Sequence, residues 1–274
     1  MAFPRRARIM PLRMDHPGRT PASTPVRARA IVVGASSGIG AAIVRELVAD
    51  GYAVAALARR GEELEKLRAE CGPERVIVRV HDVHRRDEVS FLFEELVREL
   101  GGLDLLVYVA GVMPEIGPLE FDTEIDAEIL AVNVLGAMAW CNPAAEFFQS
   151  KRAGVIVGIG SIAGDRGRRG NPAYGASKAA LAHYLEALRN RLGVFDVHVC
   201  TIKPGYIATP MTEGLGELSG LAKLLGKISA ERAAHEILTS ARRHRNVRYV
   251  PLRWLAVSLV LRSIPSVVFR RLSI

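Results

Sequence analysis

Short apolar runs alternate with amphipathic segments through the middle of the chain. The apolar runs predict seven strands, at Ala30–Gly34, Tyr52–Leu57, Val76–Val80, Leu103–Ala110, Val155–Ile159, Val197–Ile202 and Val247–Val250. Apolar positions at helical spacing predict helices between them, at Ile39–Ala49, Glu62–Cys71, Asp87–Leu100, Glu124–Ser150, Ala173–Leu192 and Glu231–Arg242. This alternation predicts an α/β fold: one Rossmann-like, doubly wound parallel sheet with helices on both faces and its ligand at the carboxyl edge.

The two ends of the chain break this pattern. Residues 1–29 contain five prolines and no hydrophobic period, and we expect a basic, disordered leader. A mitochondrial transit peptide and an overlong start are the alternatives. Residues 30–250 then form the dinucleotide-binding catalytic domain that the strand–helix pattern predicts.

Residues 251–274 form an apolar and basic tail. The run Trp254–Leu261 predicts a helix, Pro265 interrupts it, and apolar residues resume at 267–269 between arginines. We expect a C-terminal helix that covers the domain or a subunit interface. The alternative is a segment that lies at the lipid headgroups of a membrane surface.

The net charge of +8 is unevenly distributed. Residues 1–29 carry +6 and residues 242–274 carry +8, which leaves −6 for the domain between them. A protein that binds nucleic acid through its folded face would place the positive charge there. The distribution therefore argues against a nucleic-acid partner and allows an anionic membrane surface.

Composition narrows the cellular setting. Three widely spaced cysteines argue against a disulfide framework and favour a reducing, cytoplasmic location. The histidines form no cluster with metal-ligand spacing, so we expect no metal site. Every window of 18 residues contains a charge, which argues against a strong transmembrane helix.

A glycine-rich loop, Gly34–Gly40, joins the first strand to the first helix. Glycines there let the backbone turn sharply and let a pyrophosphate approach the helix N-terminus, where unpaired N–H groups favour anions. We therefore predict a dinucleotide site. The second strand ends in Arg59 and Arg60 rather than in the acid that would bind an NAD ribose, which favours NADP(H) over NAD(H), with Arg59 and Ser37 on the 2′-phosphate. The alternative is that both arginines begin a solvated helix.

Tyr174 and Lys178 stand at i and i+4 of a predicted helix, on one face. A neighbouring ammonium favours the phenolate, so we expect Lys178 to lower the pKa of Tyr174 toward a working acid/base. Ser161 follows a predicted strand at its carboxyl end, and Asn133 lies within the long predicted helix. A tyrosine–lysine pair also occurs on ordinary surface helices.

These motifs, in this order, resemble the short-chain dehydrogenase/reductase family from about Ala30 to Val250. The resemblance implies a catalytic tetrad of Asn133, Ser161, Tyr174 and Lys178. It also implies a cofactor site formed by Gly34, Ser36, Ser37, Gly38, Ile39, Gly40, Arg59, Asp82, Val83, Ala110, Gly111, Tyr174, Lys178, Pro204, Gly205, Ile207 and Thr209.

The chain departs from the family pattern at two places. The usual Asn-Asn-Ala-Gly reads Tyr108–Gly111, which loses an amide that ties the central strands together. Val33 replaces a threonine before the first glycine. Neither change affects the tetrad.

The resemblance implies hydride transfer between nicotinamide C4 and a substrate carbonyl. Tyr174 would donate or accept the proton, Ser161 would hydrogen-bond the same oxygen, Lys178 would hold the ribose, and Asn133 would position a water that joins Lys178 to solvent. Oxidation of an alcohol with NADP or NAD uses the same groups, and a non-catalytic NADP-binding regulator is the alternative outside the enzymes.

The segment Met211–Ser229 carries leucines between glycines, which suggests a mobile cover over an apolar substrate, or leucines packed on the sheet. Together with the apolar tail, this segment favours a lipophilic ketone or alcohol as the substrate. The resemblance also implies a homodimer or homotetramer assembled through the helices at 124–150 and 173–192.

Overall fold

A seven-stranded parallel sheet forms the centre of the molecule. The computed structural model describes residues 28–117, 119–213 and 225–272. The strands are β1 (Arg29–Val33), β2 (Ala53–Ala58), β3 (Val76–Val80), β4 (Leu105–Tyr108), β5 (Gly154–Ile159), β6 (Val197–Pro204), β7 (Ile207–Ala208), β8 (Ile228–Ser229) and β9 (Val247–Val250). The large sheet has the order β3-β2-β1-β4-β5-β6-β9, and β7 pairs with β8 separately.

Helices cover both faces of this sheet. They are α1 (Gly38–Ala49), α2 (Gly61–Cys71), α3 (Val89–Leu100), α4 (Thr123–Leu130), α5 (Gly136–Lys151), α6 (Pro172–Leu192), α7 (Pro210–Glu213), α8 (Ala230–Arg242), α9 (Arg253–Ser263) and α10 (Ser266–Phe269). Alternate residues of β1 enter two different cores: Ala30 and Val32 pack toward α1 and α8, and Ile31 and Val33 pack toward α3, α5 and α6. The predicted doubly wound α/β fold is confirmed.

The strand order reverses between β1 and β4, which extend the sheet in opposite directions from its centre. In open parallel sheets a crevice forms at this point, outside the carboxyl ends of the strands. Main-chain contacts shape its floor: the N–H groups of Gly34 and Ala35 both donate to the carbonyl of Leu57 at the end of β2.

The long helix predicted at 124–150 is interrupted. A π-helical turn, Ala131–Leu135, separates α4 from α5. Hydrophobic periodicity does not reveal one extra residue in a helical turn, so the prediction missed it. Such turns occur frequently at functional sites, and this one carries Asn133.

The C-terminal tail packs on the domain through α9. Trp254 of that helix is buried against Tyr206 and joins a small apolar cluster with Ile162 and Tyr249. No helix within the described ranges is long and apolar enough to cross a bilayer. Residues 1–27 of the expected leader lie outside the described residues.

Candidate active site

The glycine loop packs so closely that side chains are excluded at two positions. Gly34 has a φ of +95°, and a Cβ there would lie 2.4 Å from the backbone nitrogen of Ala110. A Cβ on Gly40 would lie 2.1 Å from the carbonyl oxygen of Gly34. The side chain of Ser37, which precedes α1, does not cap the helix. The first N–H groups of α1 therefore remain available to an anion at the cleft.

Arg59 and Arg60 follow β2 at the rim of the same loop. Arg60 donates to the hydroxyl of Ser37 at 2.6 Å and to that of Ser36 at 2.9 and 3.1 Å. Within the described ranges, no hydrogen bond from the Arg59 side chain to another residue is found. Both arginines are exposed and line the cleft, so two positive charges border the glycine loop.

Asp82 lies after β3, and a histidine holds it in place. Its Oδ1 accepts from the backbone N–H of His84 at 3.1 Å and lies 2.8 Å from Nδ1 of that ring. Nε2 of the same ring lies 2.7 Å from the carboxylate of Glu128 on α4. Burial opposes ionisation of Asp82, but the bonds with His84 outweigh it and lower the pKa of the carboxyl. The adjacent Val83 is buried.

The π turn places the side chain of Asn133 beneath the cleft floor. Its Oδ1 accepts from the N–H of Val112 at 2.8 Å, and its Nδ2 donates to Ser177 Oγ at 3.0 Å. A Cβ on Gly111 would lie 3.2 Å from Oδ1 of Asn133 and 3.3 Å from Nζ of Lys178. The missing side chain of Gly111 therefore leaves room for both groups beside the same stretch of backbone.

Ser161 and Tyr174 meet at the carboxyl end of β5. Ser161 Oγ accepts from the N–H of Ala163 at 3.0 Å, and Asn171 caps α6 by accepting from the N–H of Tyr174 at 2.9 Å. Burial raises the pKa of the Tyr174 hydroxyl, while a hydrogen bond with Ser161 and the charge of Arg168 act in the opposite direction. The expected lowering by Lys178 is therefore not the net effect: removal from water dominates.

Lys178 is the buried cation of the site. It is 4% exposed, and its Nζ donates to the carbonyl of Ile159 at 3.0 Å. The same nitrogen lies 5.7 Å from the centre of the Tyr174 ring. Burial lowers the pKa of Lys178 from 10.5 to about 8.

The segment after β6 closes one wall of the cleft. Thr209 lies against the glycine loop, where a Cβ on Gly38 would be 3.0 Å from its methyl carbon. The hydroxyl of Thr212 donates to the carbonyl of Ile207 at 2.6 Å and holds the turn together. Pro204 and Gly205 line the cleft below it.

One cleft of about 760 Å³ collects these groups. It is lined by all of the predicted site residues except Gly40 and Asn133, which support it from behind. It also contains residues that the sequence analysis did not select, among them Arg168, Asn171 and Thr212. Arg168 and Asn171 lie in an irregular segment and Thr212 lies in a helix of one turn, so no periodic pattern marks these residues. The leucines at 215, 218, 221 and 224 of the suggested cover lie outside the described residues.

Tyr108 stands where the family pattern has an amide, and it makes a contact to a helical turn. Its hydroxyl is buried and donates to the carbonyl of Val132 in the π turn at 2.7 Å. The bond ties β4 to the turn that carries Asn133. A Cβ on Gly136 would lie 2.5 Å from this hydroxyl, so the tyrosine depends on a glycine across from it.

In the described part of the chain, no group of three or more histidine, cysteine or acidic side chains has the arrangement of a metal site. The cysteines there are free thiols, and burial raises the pKa of Cys141 and Cys200 to about 12. Neither thiol belongs to the cleft lining.

Comparison with known proteins gives a consistent family. The family model described as short chain dehydrogenase matches residues 28–219. Carbonyl reductase family member 4 of Xenopus tropicalis is 34% identical over 210 residues, covering 76% of this chain and 88% of that protein. The 3-oxoacyl-[acyl-carrier-protein] reductase of Homo sapiens is 32% identical over 186 residues, covering 68% and 78%.

A solved structure, ElxO with NADP bound, has the same fold. It superposes with a TM-score of 0.74 at 22% identity and covers 82% of this chain and 97% of its own.

Proposed function

The chain belongs to the short-chain dehydrogenase family of oxidoreductases, which act on carbonyl and alcohol groups, and we propose that it reduces the carbonyl of a lipophilic substrate with NADPH. The observation that carries this proposal is the convergence of Ser161, Tyr174 and Lys178 on one cleft beside the glycine loop. The catalytic unit of the proposal comprises residues 30–250.

The residues around the glycine loop fit NADP(H). Gly34 and Gly40 keep the loop free of side chains, and α1 directs unpaired N–H groups at the cleft. Two arginines stand where an NAD site would carry an acid, and guanidinium groups match a phosphate in charge and geometry. When bound, NADP(H) supplies or accepts the hydride.

The protonation state of Tyr174 favours reduction. Because burial raises its pKa, the hydroxyl keeps its proton at neutral pH and can donate it to a substrate oxygen that gains negative charge. Oγ of Ser161 already accepts a hydrogen bond from Ala163, which leaves its own proton for the same oxygen.

Lys178 and Asn133 support this pair. Nζ of Lys178 uses one donor on Ile159, and its remaining N–H groups are available to ribose hydroxyls. Asn133 lies against the same glycine as Nζ and would hold a water that joins the lysine to solvent. A protonated Lys178 near the ring would also stabilise the negative charge left on Tyr174 when its proton leaves.

The proposed substrate is a ketone on an apolar chain or ring. Met113, Ile116 and Met211 provide an apolar lining beyond the catalytic groups. Two relatives are named as a carbonyl reductase and a 3-oxoacyl-[acyl-carrier-protein] reductase, which supports a carbonyl and, in the second case, an acyl chain.

A carbonyl panel tests the proposal. We expect oxidation of NADPH with 3-oxoacyl thioesters or hydrophobic ketones, at a kcat/KM at least about tenfold above that with NADH, a difference of about 1.4 kcal/mol. A preference for small polar sugars would contradict the lipophilic substrate. Faster alcohol oxidation with NAD would favour an NAD-linked dehydrogenase, and binding of neither nucleotide would favour a non-catalytic protein.

The proposal includes a homodimer or homotetramer in the cytoplasm. Leu130 and Leu135, at the junctions of the π turn, are 40% and 44% exposed, an apolar surface that a second copy would cover. Sedimentation equilibrium tests this part: Leu130→Glu with Leu135→Glu should reduce the oligomer, and a wild-type monomer would contradict it.

A further inference from the structure

The tail helix α9 carries apolar side chains on the side that faces away from the domain as well as on the side that packs against it. Trp254 and Ser258, at 3% and 2% exposure, face the domain. Leu259 and Val260 of the same helix are 54% and 61% exposed. An ordinary surface helix instead has polar side chains on the side that faces water. Further apolar side chains lie exposed along this tail surface, at Leu252, Leu255, Val267 and Val268.

Buried hydrogen bonds hold the helix in this orientation. Ser258 Oγ donates to Oδ2 of Asp165 at 2.5 Å, and the Tyr249 hydroxyl reaches the same oxygen at 3.0 Å. The other carboxylate oxygen is paired with Lys203, and the Asp165 side chain is 4% exposed. Rotating α9 to bury its leucines would leave this carboxylate short of donors, which is costly for a buried charge.

Two arginines fasten the C-terminal end of the tail. Arg166 donates to the carbonyls of Leu261 and Arg262 at 2.6 and 3.2 Å and stacks over the ring of Phe269 at 4.1 Å. Arg169 donates to the carbonyl of Arg270 at 2.6 Å. The tail is thus bound at both ends, and its outward apolar surface is a stable feature of the fold.

Positive charge surrounds this apolar surface. The sequence has eight arginines from Arg242 onward and no acidic residue after Glu236. Four of the arginines, 253, 262, 270 and 271, lie within three residues of an exposed apolar side chain in the sequence. Asp165, the carboxylate beneath α9, is buried and paired.

We propose that this tail surface binds an anionic lipid bilayer. The exposed apolar side chains would enter the boundary between headgroups and acyl chains, and the arginines would remain among the phosphates. Helix α9 has 11 residues, about 16 Å at 1.5 Å per residue, so it would lie in the plane of the membrane.

A bilayer fits the surface better than a second copy does. A two-fold interface places the same patch on both sides, so the arginines of one copy would face those of the other. Like charges across an interface oppose association, whereas acidic headgroups neutralise them. Within the tail and the adjoining loop, Asp165 is the one acidic group, and it is already paired.

The docked tail would also bring the cleft to the membrane. The loop that carries Arg166 and Arg169 also provides Arg168 and Asn171 to the cleft lining. A lipophilic substrate could then pass from the bilayer to the cleft over a short path. This consequence rests on the proposed function, whereas the membrane contact itself does not.

Vesicle co-sedimentation tests the contact without any catalysis. We expect the full chain to bind vesicles of equimolar phosphatidylglycerol and phosphatidylcholine, and to bind phosphatidylcholine alone weakly. Leu259→Glu with Val260→Glu should lower the partition coefficient about tenfold or more, because two inserting side chains become charged. The control, Phe91→Glu with Val194→Glu, changes two apolar residues outside the tail that are even more exposed, and it should bind normally.

A second variant tests the charge. Each of Arg262→Gln, Arg270→Gln and Arg271→Gln should lower the partition coefficient about fivefold, equivalent to about 1 kcal/mol per arginine near an anionic surface. These side chains are exposed, so thermal unfolding should match that of the wild type.

Three outcomes would overturn the proposal. The first is that the wild type binds neutral and anionic vesicles equally well and that high salt does not change this binding. The second is that the tail variant and its control lose vesicle binding to the same extent, and the third is that the wild type does not bind vesicles. In the last case, a dimer that Val260→Glu dissociates would identify the surface as a subunit interface. If the protein reduces ketones but does not bind vesicles, the membrane contact alone is refuted and the proposed function is unaffected.

Discussion

Arg59 and Arg60 are adjacent in the chain but differ in what they contact. Arg60 already donates to the two serine hydroxyls of the glycine loop, whereas the donors of Arg59 bond to no other residue in the part of the chain that the structure describes. A 2′-phosphate would therefore gain more from Arg59. Its charge also contributes to the lowered pKa of Asp82, which follows the neighbouring strand β3.

We predict that Arg59→Ala weakens NADPH binding about tenfold or more and leaves NADH binding nearly unchanged. Arg60→Ala should weaken NADPH binding by a smaller factor and also affect NADH, because the serines of the loop lose a partner. Titration of nicotinamide fluorescence measures both. If Arg59→Ala weakens the binding of NADH and of NADPH equally, this residue does not recognise the 2′-phosphate.

The buried charge of Lys178 lowers the free energy of unfolding. Its pKa falls from 10.5 to about 8, so holding the charge in the folded state costs about 3 kcal/mol at neutral pH. This pKa already includes the bond to the Ile159 carbonyl, but a side chain without a donor would leave that carbonyl unpaired at a cost of about 1 kcal/mol. Replacing Lys178 with an apolar side chain should therefore stabilise the fold by about 2 kcal/mol.

Lys178→Met should therefore unfold at higher urea, with a free energy of unfolding about 2 kcal/mol larger at neutral pH, and should lose turnover. The pKa of Lys178 is lower in the folded state than in the unfolded state. The cost of burying the charge is therefore absent above pH 10.5, grows as the pH falls, and is complete below about pH 8. The wild type should become more stable from about pH 8 to 10.5 relative to the variant. A variant that is less stable at every pH would contradict this account.

At the scale of elements, the π turn is held by a tyrosine and a glycine that fit each other. Tyr108 bonds to the carbonyl of Val132, and a Cβ on Gly136 would lie 2.5 Å from its hydroxyl. We expect Tyr108→Phe to cost about 1–2 kcal/mol, since a buried carbonyl loses its partner. Gly136→Ala should cost about 1–3 kcal/mol, since the core becomes overpacked.

The double variant should cost less than the sum of the two by about 1 kcal/mol, because removing the hydroxyl makes room for the new methyl. Urea unfolding of the four proteins measures this. Gly193→Ala is the control: no atom lies within 4 Å of a Cβ there, and its effect should add to that of Tyr108→Phe. If the effects of Tyr108→Phe and Gly136→Ala on the free energy of unfolding simply add, the two residues are not coupled.

The sequence predicted regular elements well and irregular ones poorly. Strands β3 and β9, the two edges of the sheet, have the predicted bounds, because each is a short apolar run between turns. The pair β7–β8 was missed, since two-residue strands have no period. The π turn at Ala131–Leu135 was missed because its apolar residues continue the helical pattern on both sides.

At the scale of the whole molecule, the sequence located the cleft but not its electrostatics. Motifs at strand ends gather because parallel strands share one carboxyl edge, so most predicted site residues line a single cleft. The raised pKa of Tyr174 depends on burial by distant segments, which no local spacing contains. The orientation of α9 likewise depends on Asp165, which lies 93 residues before Ser258.

We propose that this fold places Tyr174 so that it donates a proton during NADPH-dependent carbonyl reduction. The most direct measurement compares Tyr174→Phe with the wild type for both NADPH affinity and the rate of NADPH oxidation with a 3-oxoacyl thioester. We predict unchanged affinity and a kcat lower by about 10² to 10⁴. Tyr184→Phe, which alters a hydroxyl on the same helix that bonds to Asn142 instead, should keep full turnover. Turnover retained in Tyr174→Phe would contradict the account.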